Sequence, residues 1–250
     1  MLKVTIITVT YNAEKYLEQC IQSVLSQDYP AIEYIVVDGN SSDRTVQIIK
    51  KYDGRITKWV SESDNGMFDA LNKGISMATG DIIGMLHSDD LFASERVISE
   101  VMHAFHESST DCLYGDLEYV DPDDMSILYR SWKGRPFRKG LFKRGWMPAH
   151  TTFFFRSNLI SKYGNYLTHY YSSSDYELML RFLYRYEASA FYLPQLIVKM
   201  RRGGLSNNGL LRRLRANRRD YLALKANGVP CAFWVSLLKP LSKLHQYFPR

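Results

Sequence analysis

The chain has 250 residues, which is enough for one large domain with a sizeable apolar core and excludes a miniprotein held together by disulfides. Hydrophobic residues make up 46% of the sequence, aromatic residues 14% and charged residues 23%, and this balance excludes a disordered chain. The net charge of +6 is divided unevenly, because positions 199–250 carry twelve Lys or Arg and one acid, whereas positions 1–198 carry a net charge of about −5.

The first third of the chain alternates apolar runs with helical patterns, which is typical of βαβ units and a parallel sheet. The run at 32–37 is apolar without interruption, as a strand requires when both faces of its sheet are covered. We therefore predict an α/β fold. The predicted strands lie at 4–10, 32–37, 56–61 and 81–86, and the helices lie at 13–27, from the caps at 41–43 to 51, at 67–77 and at 94–105.

Each of these four strands ends in a cluster of polar residues. Open α/β sheets bind ligands beyond the carboxyl ends of their strands, so we expect the clusters to meet at one binding edge. Turn and cap chemistry would explain any single cluster equally well. The clusters are Thr10, Tyr11 and Asn12; Asp38, Gly39 and Asn40; Glu62, Asp64 and Asn65; and His87, Ser88, Asp89 and Asp90.

The second half predicts a hairpin, a basic loop and a return to the sheet. Strands at 113–120 and 127–132 flank a turn at 121–124. Residues 133–144 include six basic residues and no acid, which favours a surface loop. The remaining predicted elements are a buried strand at 151–155, a helix at 174–186 and a closing strand at 191–198.

Ser88, Asp89 and Asp90 directly follow an apolar strand. Two adjacent carboxylates repel each other unless a cation or a basic group neutralises them, and hard divalent ions prefer carboxylate oxygens. Such an ion would keep several waters and use substrate phosphates as further ligands, so it needs few protein ligands. The alternative is that these residues cap the helix predicted near Ser94.

Asp38 closes the second strand at the same edge. Ser41 and Asp43 can cap the next helix, so we expect the Asp38 carboxylate to be free to accept hydrogen bonds from a base or a ribose hydroxyl. No glycine-rich phosphate loop of the G-x-G-x-x-G or G-x-x-x-x-G-K-[ST] type is present. This disfavours dinucleotide oxidoreductases and P-loop NTPases.

Five segments carry a family resemblance and together cover roughly residues 3–205. They read VTIITVTYNAEKYLEQCIQSVLSQDYP, VVDGNSSDRT, SESDNGMFDALNKGI, ATGDIIGMLHSDD and SSDYELMLRF. In this order they resemble the family 2 glycosyltransferases of the bacterial polysaccharide-biosynthesis type. The resemblance implies the Rossmann-like GT-A fold, in which helices flank a mixed, mostly parallel sheet. It also implies a metal-dependent, inverting hexosyltransferase that uses Mn²⁺ or Mg²⁺ and a nucleotide diphosphate sugar, UDP-linked by family habit.

The resemblance also implies site residues. The D-x-D motif of the family matches Ser88-Asp89-Asp90, with Asp90 at the metal-ligand place, and the serine weakens a ribose contact at residue 88. Asp175 matches the catalytic base, for which a plain helix N-cap is the alternative. The positions matching the nucleotide and donor pocket are Val9 through its backbone, Tyr11, Asp38, Asp64, Asp69, Asn72, Ser88 and Asp89.

Two residues are candidates for the acceptor side. His150 matches a place that the family often gives to a histidine near the acceptor, and a structural histidine is equally compatible. Trp146 flanks the basic loop and could stack on a sugar ring, although a buried anchor is favoured. Arg201 and Arg202 follow the last predicted strand and could clamp donor phosphates.

The chain divides into a predicted transferase domain at 1–205 and a basic extension at 206–250. The extension combines an arginine-rich helix pattern at 209–226 with an apolar segment at 229–238, which is too short to cross a bilayer. Basic residues beside Phe233 and Trp234 favour an anchor on an anionic membrane surface. A helix packed on the body or a subunit contact fits nearly as well. No recognised module indicates nucleic-acid binding.

Together these features predict transfer of a sugar onto a saccharide acceptor, lipid-linked, at the inner face of the plasma membrane. Three widely spaced cysteines and a start, MLKVTIITVTYN, that is too polar for an export signal predict a cytoplasmic, peripheral protein. The alternative is a nucleotide-sugar-binding protein that has lost catalysis and is recruited through its basic tail.

Overall fold

The computed structural model of the protein describes residues 1–203 and 210–242. Its strands are β1 (Val4–Thr10), β2 (Ile32–Asp38), β3 (Lys58–Ser61), β4 (Ile82–Met85), β5 (Leu91–Phe92), β6 (Cys112–Val120), β7 (Leu128–Trp132), β8 (Phe154–Arg156) and β9 (Ala190–Arg201). Its α-helices are α1 (Leu17–Leu25), α2 (Thr45–Lys51), α3 (Met67–Met77), α4 (Val97–Ser108), α5 (Asn158–Tyr163), α6 (Ser174–Met179), α7 (Leu210–Ala226) and α8 (Ala232–Leu241). Shorter 3₁₀ turns span Lys139–Arg144, His150–Thr152 and Thr168–Ser173, and a π-helical turn spans Leu180–Arg185.

These strands form one mixed sheet in the order β3-β2-β1-β4-β8-β6-β9-β5, with β7 paired to β6. The strands β1 to β4 are mutually parallel, and β6 is parallel to β9. The short β8 joins the two halves by antiparallel pairing with β4 and β6. The predicted α/β class with a mixed, mostly parallel sheet flanked by helices is confirmed.

Helices cover the parallel half of the sheet so closely that β1 is buried along its whole length. On α1, the buried side chains follow helical spacing at Leu17, Cys20, Ile21 and Val24. On α3, Gly74 lets the helix approach β1, because a Cβ at this position would lie 2.5 Å from Cγ2 of Ile7. The apolar pattern of the first third therefore matches a two-sided core.

The predicted helix at 13–27 begins only at Leu17. Asn12 has a positive φ of 48°, so the chain turns sharply after β1. The backbone N–H of Ala13 donates to the Thr45 hydroxyl at 2.8 Å, and this contact fixes the turn to α2. A tertiary contact thus replaces the first turn of the predicted helix.

The second half departs further from the predicted elements. The predicted strand at 151–155 is a 3₁₀ turn at His150–Thr152 followed by β8. The predicted helix at 174–186 changes from α6 to the π-helical turn after Met179. The chain also contains the unpredicted β5, which pairs with β9. Such short elements lack a periodicity of their own.

The basic stretch 133–144 is not a surface loop throughout. Its second part forms the 3₁₀ turn at Lys139–Arg144, in which Phe142 is fully buried. Gly145 ends this turn with a φ of 74°, and a Cβ there would lie 2.7 Å from the backbone of Lys239. The expectation of a plain loop is therefore wrong for this part, because α8 packs against it.

The described part of the extension packs on the body of the protein. The Asp220 carboxylate of α7 and the Lys239 ammonium of α8 form an ion pair at 2.8 Å, and this ammonium lies 3.5 Å from the centre of the Tyr176 ring. Nδ2 of Asn227 donates to Oε1 of Glu177 at 3.2 Å. These contacts connect the extension to α6. The predicted domain boundary at 205/206 lies outside the described residues.

Candidate functional site

The carboxyl ends of the first four strands lie side by side. Thr10 is in register with Asp38, and Asp38 is in register with Ser61. The pairing between β1 and β4 reaches only Ile7, so this ladder ends two residues before Val9. The polar residues that follow the four strands therefore share one edge of the sheet, where parallel sheets bind their ligands.

Tyr11, Gly39 and Asp64 form a slot at this edge. The Tyr11 side chain is 66% exposed. A Cβ on Gly39 would lie 2.6 Å from Oδ2 of Asp64 and 3.4 Å from Cδ2 of Tyr11, so a larger residue would fill the space. Oδ1 of Asp64 accepts a hydrogen bond from the N–H of Gly66 at 2.7 Å, which fixes the carboxylate. The slot combines an aromatic ring with an acceptor.

The expectation that the Asp38 carboxylate is free is wrong. One of its oxygens accepts hydrogen bonds from the Ser41 N–H at 3.0 Å and the Ser61 hydroxyl at 2.6 Å, and the other accepts from the Ser41 hydroxyl. The side chain is fully buried. Asp38 thus holds the ends of β2 and β3 together beneath the edge, and its contact with a base stays a prediction.

The two predicted donor-pocket residues on α3 also contact the protein. The Asn72 amide donates to the Tyr166 carbonyl at 2.9 Å and accepts from the Tyr166 N–H at 3.0 Å. Oδ2 of Asp69 accepts from the Asn65 N–H at 2.9 Å. Asn72 therefore fixes the segment that carries Tyr166, which explains its position without a ligand.

Asp89 and Asp90 follow β4 in different environments. Ser88 and Asp89 are half-buried, whereas Asp90 is fully buried. Oδ1 of Asp90 accepts from the Arg201 N–H at 3.3 Å, and Oδ2 has no hydrogen-bond partner among the described residues. Burial raises the pKa of Asp90 well above its ordinary value, and the charge of Asp89 adds to this effect. A cation beside this pair would offset both the burial of the Asp90 carboxylate and its repulsion by Asp89.

A divalent ion of the kind implied by the resemblance fits this pair. Within residues 1–203 and 210–242, no three His, Cys, Asp or Glu side chains cluster as a closed metal site. An ion that keeps waters and phosphate ligands does not need such a cluster. The unpartnered Oδ2 of Asp90 and the accessible carboxylate of Asp89 are suitable ligands by their chemistry.

Arg201 does not face the edge as a phosphate clamp. Its side chain is buried and donates to the carbonyls of Asp89 at 2.6 Å and Pro122 at 3.1 Å, and to the Gln19 amide oxygen. The guanidinium also lies 4.4 Å from the centre of the Tyr16 ring. Arg201 therefore positions the Asp89 backbone.

Asp175 lies beside two histidines. It is in the first turn of α6, and its Oδ2 is 3.9 Å from Nδ1 of His150. The rings of His150 and His87 are 5.8 Å apart between centroids. The Asp175 side chain remains 20% exposed, compared with 11% for His150. A partly open carboxylate thus lies against a nearly closed imidazole pair.

Burial favours the neutral form of both histidines. It lowers the pKa of His87 to about 4, with the neighbouring His150 as the second cause, and it lowers the pKa of His150. Nε2 of His150 lies 3.4 Å from the Tyr166 hydroxyl, and the Phe68 ring packs 6.2 Å away. The sequence placed His87 at the binding edge with Ser88 but indicated no role for it beside Asp175.

Trp146 lies in the core instead of on an acceptor surface. It is 7% exposed, and its ring packs edge-on against Tyr114 at 5.9 Å and Phe142 at 6.5 Å. Its position after the buried Phe142 explains this packing. We therefore assign Trp146 to the aromatic core and retain His150 as the residue beside Asp175.

Residues 5–164 match the family described as glycosyl transferase family 2. An uncharacterized glycosyltransferase of Mycobacterium tuberculosis (strain ATCC 25618 / H37Rv) is 33% identical over 181 residues, which cover 71% of this chain and 68% of that protein. The family match over residues 5–164 includes the four strand ends described above.

Two solved structures share the fold. The crystal structure of Staphylococcus aureus TarS gives a TM-score of 0.69 at 19% identity, covering 100% of this chain and 44% of that chain. A TarS fragment of residues 1–349 has been solved in complex with UDP-GlcNAc. The mannosyltransferase PcManGT of Pyrobaculum calidifontis, in complex with GDP-Man and Mn²⁺, gives a TM-score of 0.65 at 16% identity, covering 96% of this chain and 74% of that one.

Across residues 1–203 and 210–242, we find no helix with the length and apolar composition that a bilayer crossing requires. The family match spans more than half of the sequence, and the structural likeness extends over the whole sheet. The chain therefore belongs to glycosyl transferase family 2.

Proposed function

We propose that the protein transfers a hexose, with inversion, from a nucleotide diphosphate sugar to a hydroxyl of a saccharide acceptor. The observation that supports this best is the partly open Asp175 carboxylate beside His150 and His87, since His87 ends the same strand that leads into Asp89. The two histidines thus lie between Asp175, the proposed base, and the strand end that leads into the proposed cation ligands.

Asp175 is the proposed general base. A sugar hydroxyl is a weak nucleophile at neutral pH, and a carboxylate within hydrogen-bond reach can take its proton as the new glycosidic bond forms. Burial lowers the pKa of His150, which disfavours a permanent ion pair between His150 and Asp175. The carboxylate, which is 20% exposed, therefore stays available to an acceptor beside the packed imidazole.

Asp89 and Asp90 are the proposed ligands of Mn²⁺ or Mg²⁺. The bound ion supplies neutralisation of the charge that develops on the departing nucleotide diphosphate. Asp89 has the accessible carboxylate, and Asp90 has the unpartnered oxygen. The Arg201 side chain donates to the Asp89 carbonyl, and the Arg201 backbone N–H donates to Oδ1 of Asp90, so Arg201 positions both residues.

The slot between Tyr11 and Asp64 is the proposed nucleotide subsite. An aromatic ring can stack on a base, and a carboxylate can accept hydrogen bonds from a base imide or a ribose hydroxyl. The Val9 backbone and the Asp38 carboxylate lie at the ends of the strands that lead into this slot. A uracil nucleotide is the proposed donor, in keeping with the UDP-GlcNAc bound by the TarS fragment.

The proposed acceptor is a lipid-linked saccharide, and the proposed location is an anionic membrane surface on the cytoplasmic side. On α8, Phe233 is 57% exposed and Trp234 is 65% exposed, whereas Val235 and Ser236 face the body. Helix α7 next to it carries Arg215 and Arg218. Exposed aromatic residues beside basic ones favour attachment to anionic lipid.

A thermal-shift series tests the nucleotide and the metal together. UDP, GDP and dTDP are added to the full chain with Mn²⁺, with Mg²⁺ or with EDTA. A ligand that binds the folded state raises the melting temperature, so we expect the largest rise with UDP and Mn²⁺. Equal shifts with EDTA would contradict the metal role, and no shift with any nucleotide would contradict the proposed function.

A further inference from the structure

A basic groove lies between the 3₁₀ turn Thr168–Ser173 and α7. It encloses about 430 Å³. Two of its six lining side chains are cationic, a third is a histidine and none is acidic, so the groove attracts anions. The other three make part of the wall apolar. The lining residues are His169, Tyr170, Arg219, Leu222, Lys225 and Ala226.

The turn that forms one wall leads directly into the proposed base. Tyr171 has φ 49° and ψ −121°, a strained conformation for a residue other than glycine. The Arg219 guanidinium lies 4.4 Å from the centre of the Tyr171 ring, and its NH1 donates to Oγ of Ser172 at 3.4 Å. Ser172 precedes Asp175 by three positions, so Arg219 couples the groove to the turn that positions the base.

We propose that this groove binds a phosphate ester on the acceptor, with the alkyl chain of that ester against the apolar wall. The inference rests on the proposed transferase function. A guanidinium and an ammonium are the usual protein partners of phosphate oxygens. Leu222 and Tyr170 offer the surface that an alkyl chain needs. An acceptor held here by its phosphate would extend from α7 towards the turn before Asp175.

The donor diphosphate does not account for this groove. The proposed donor residues Tyr11 and Asp64 follow β1 and β3, and the metal pair follows β4. The groove is built from α7 and the turn before α6. The groove and the donor edge are therefore built from different elements of the fold. The basic extension therefore forms a substrate subsite in addition to its proposed contact with the membrane.

Calorimetric titration of the full chain tests the subsite with three probes: dodecyl phosphate below its micellar concentration, glucose 1-phosphate and dodecyl maltoside. The variants are Arg219→Gln, Lys225→Gln and the matched control Lys162→Gln, which removes an exposed charge of α5 outside the groove. We expect dodecyl phosphate to bind at least tenfold more weakly to both groove variants and within twofold of wild type to the control.

The other probes decide what the groove recognises. Weaker binding of glucose 1-phosphate than of dodecyl phosphate supports the alkyl ester, and equal binding overturns the alkyl part. Binding of dodecyl maltoside as tight as that of dodecyl phosphate overturns the phosphate part. Unchanged affinity in both Arg219→Gln and Lys225→Gln overturns the subsite as a whole.

Binding of UDP with Mn²⁺ is measured on the same variants to separate the two proposals. Retained UDP binding together with weaker dodecyl phosphate binding supports the groove. If the wild type does not bind UDP, the donor role is contradicted, whereas the result for the groove stands. Thermal melting checks that each variant is folded. Because Arg219 also contacts the turn at Tyr171, the Lys225→Gln variant tests the groove without changing that contact.

Discussion

Asp175 combines a position against a packed histidine with access to solvent. It lies in the first turn of α6, its Oδ2 is 3.9 Å from Nδ1 of His150, and a fifth of its side-chain surface remains accessible. A base needs such access when its partner is a hydroxyl that arrives from outside. His150, the neighbour at 3.9 Å, is itself held between Phe68 and Tyr166.

Replacement of this carboxylate tests its role directly. We expect Asp175→Asn to lower the rate of UDP release from the donor, by transfer or by hydrolysis, at least about a hundredfold, the lower end of general-base effects. UDP binding should persist, because Asp175 does not contribute to the nucleotide slot. Asp28→Asn is the matched control, since Asp28 precedes β2 at the opposite edge of the sheet. Unchanged turnover would contradict the assignment and favour a different base.

Substitutions of Asp89 and Asp90, the two acids after β4, are expected to have different effects. We expect Asp89→Asn to remove the effect of Mn²⁺ on UDP affinity while the fold stays intact, because Asp89 is accessible. Replacing the fully buried Asp90 by Asn should also change thermal stability, since its Oδ1 accepts from the Arg201 backbone. Calorimetry of UDP with Mn²⁺ or EDTA gives the first quantity and thermal melting gives the second. A persistent Mn²⁺ effect in both variants would contradict this metal site.

At the scale of elements, one buried carboxylate connects the parallel strands at their amino ends. Glu33 of β2 accepts hydrogen bonds from the Thr5 hydroxyl at 2.7 Å, the Thr79 N–H at 2.7 Å and the Lys58 ammonium at 3.1 Å. Burial by itself raises the pKa of Glu33, but the hydrogen bonds from Thr79, Thr5 and Lys58 outweigh it and lower the pKa to about 2. Glu33 thereby joins β1, β3 and the loop before β4.

This low pKa predicts a pH-dependent contribution to stability. The unfolded carboxyl titrates near 4.3, so the stabilisation is complete above about pH 5 and is lost as the pH falls through the folded pKa near 2. We expect Glu33→Gln to lower the free energy of unfolding by about 3 kcal/mol at pH 7, with a difference that shrinks towards pH 2. Urea unfolding across this range measures it, with exposed Glu95→Gln as the control. A constant difference would contradict the linkage.

At the scale of the whole molecule, α8 presents apolar side chains both to the body of the protein and to solvent. Its inner side, with Val235 and Ser236, packs on the body, and its Lys239 pairs with Asp220. Its outer side exposes Phe233, Trp234, Leu237 and Leu238. Because α7 and α8 bury core residues, deletion of the extension would damage the fold. Point substitutions on the outer side are the better test.

We expect the double variant Phe233→Ser/Trp234→Ser to bind phosphatidylglycerol vesicles at least tenfold more weakly than the wild type. Two inserted aromatic side chains contribute about 1.5–3 kcal/mol each when fully buried, so a tenfold loss is a lower bound. Vesicle flotation measures the bound fraction, and Phe191→Ser, an exposed aromatic of β9, is the control. Equal flotation of the wild type and the double variant would contradict attachment through α8.

The positions of the candidate site residues were predictable where these residues follow long strands, and unpredictable where they depend on packing. Asp89, Asp90 and Asp64 follow runs whose alternation with helices identifies the binding edge. The sequence could not indicate that Ser41 and Ser61 donate hydrogen bonds to Asp38, because the same serine could equally cap the next helix and leave Asp38 free. It also left His150 open between a structural and an acceptor-side role, and only packing placed this ring beside Asp175.

The sequence by itself determined the βαβ half, including the bounds of α3 at Met67–Met77, because period-3.6 and continuous apolar patterns are local properties. It also determined the family and the uneven division of charge. Only the tertiary structure decided that β8 joins the two halves of the sheet, and that His87, His150 and Asp175 meet. These contacts join residues far apart in the chain, so no local periodicity encodes them, and packing free energy alone selects them.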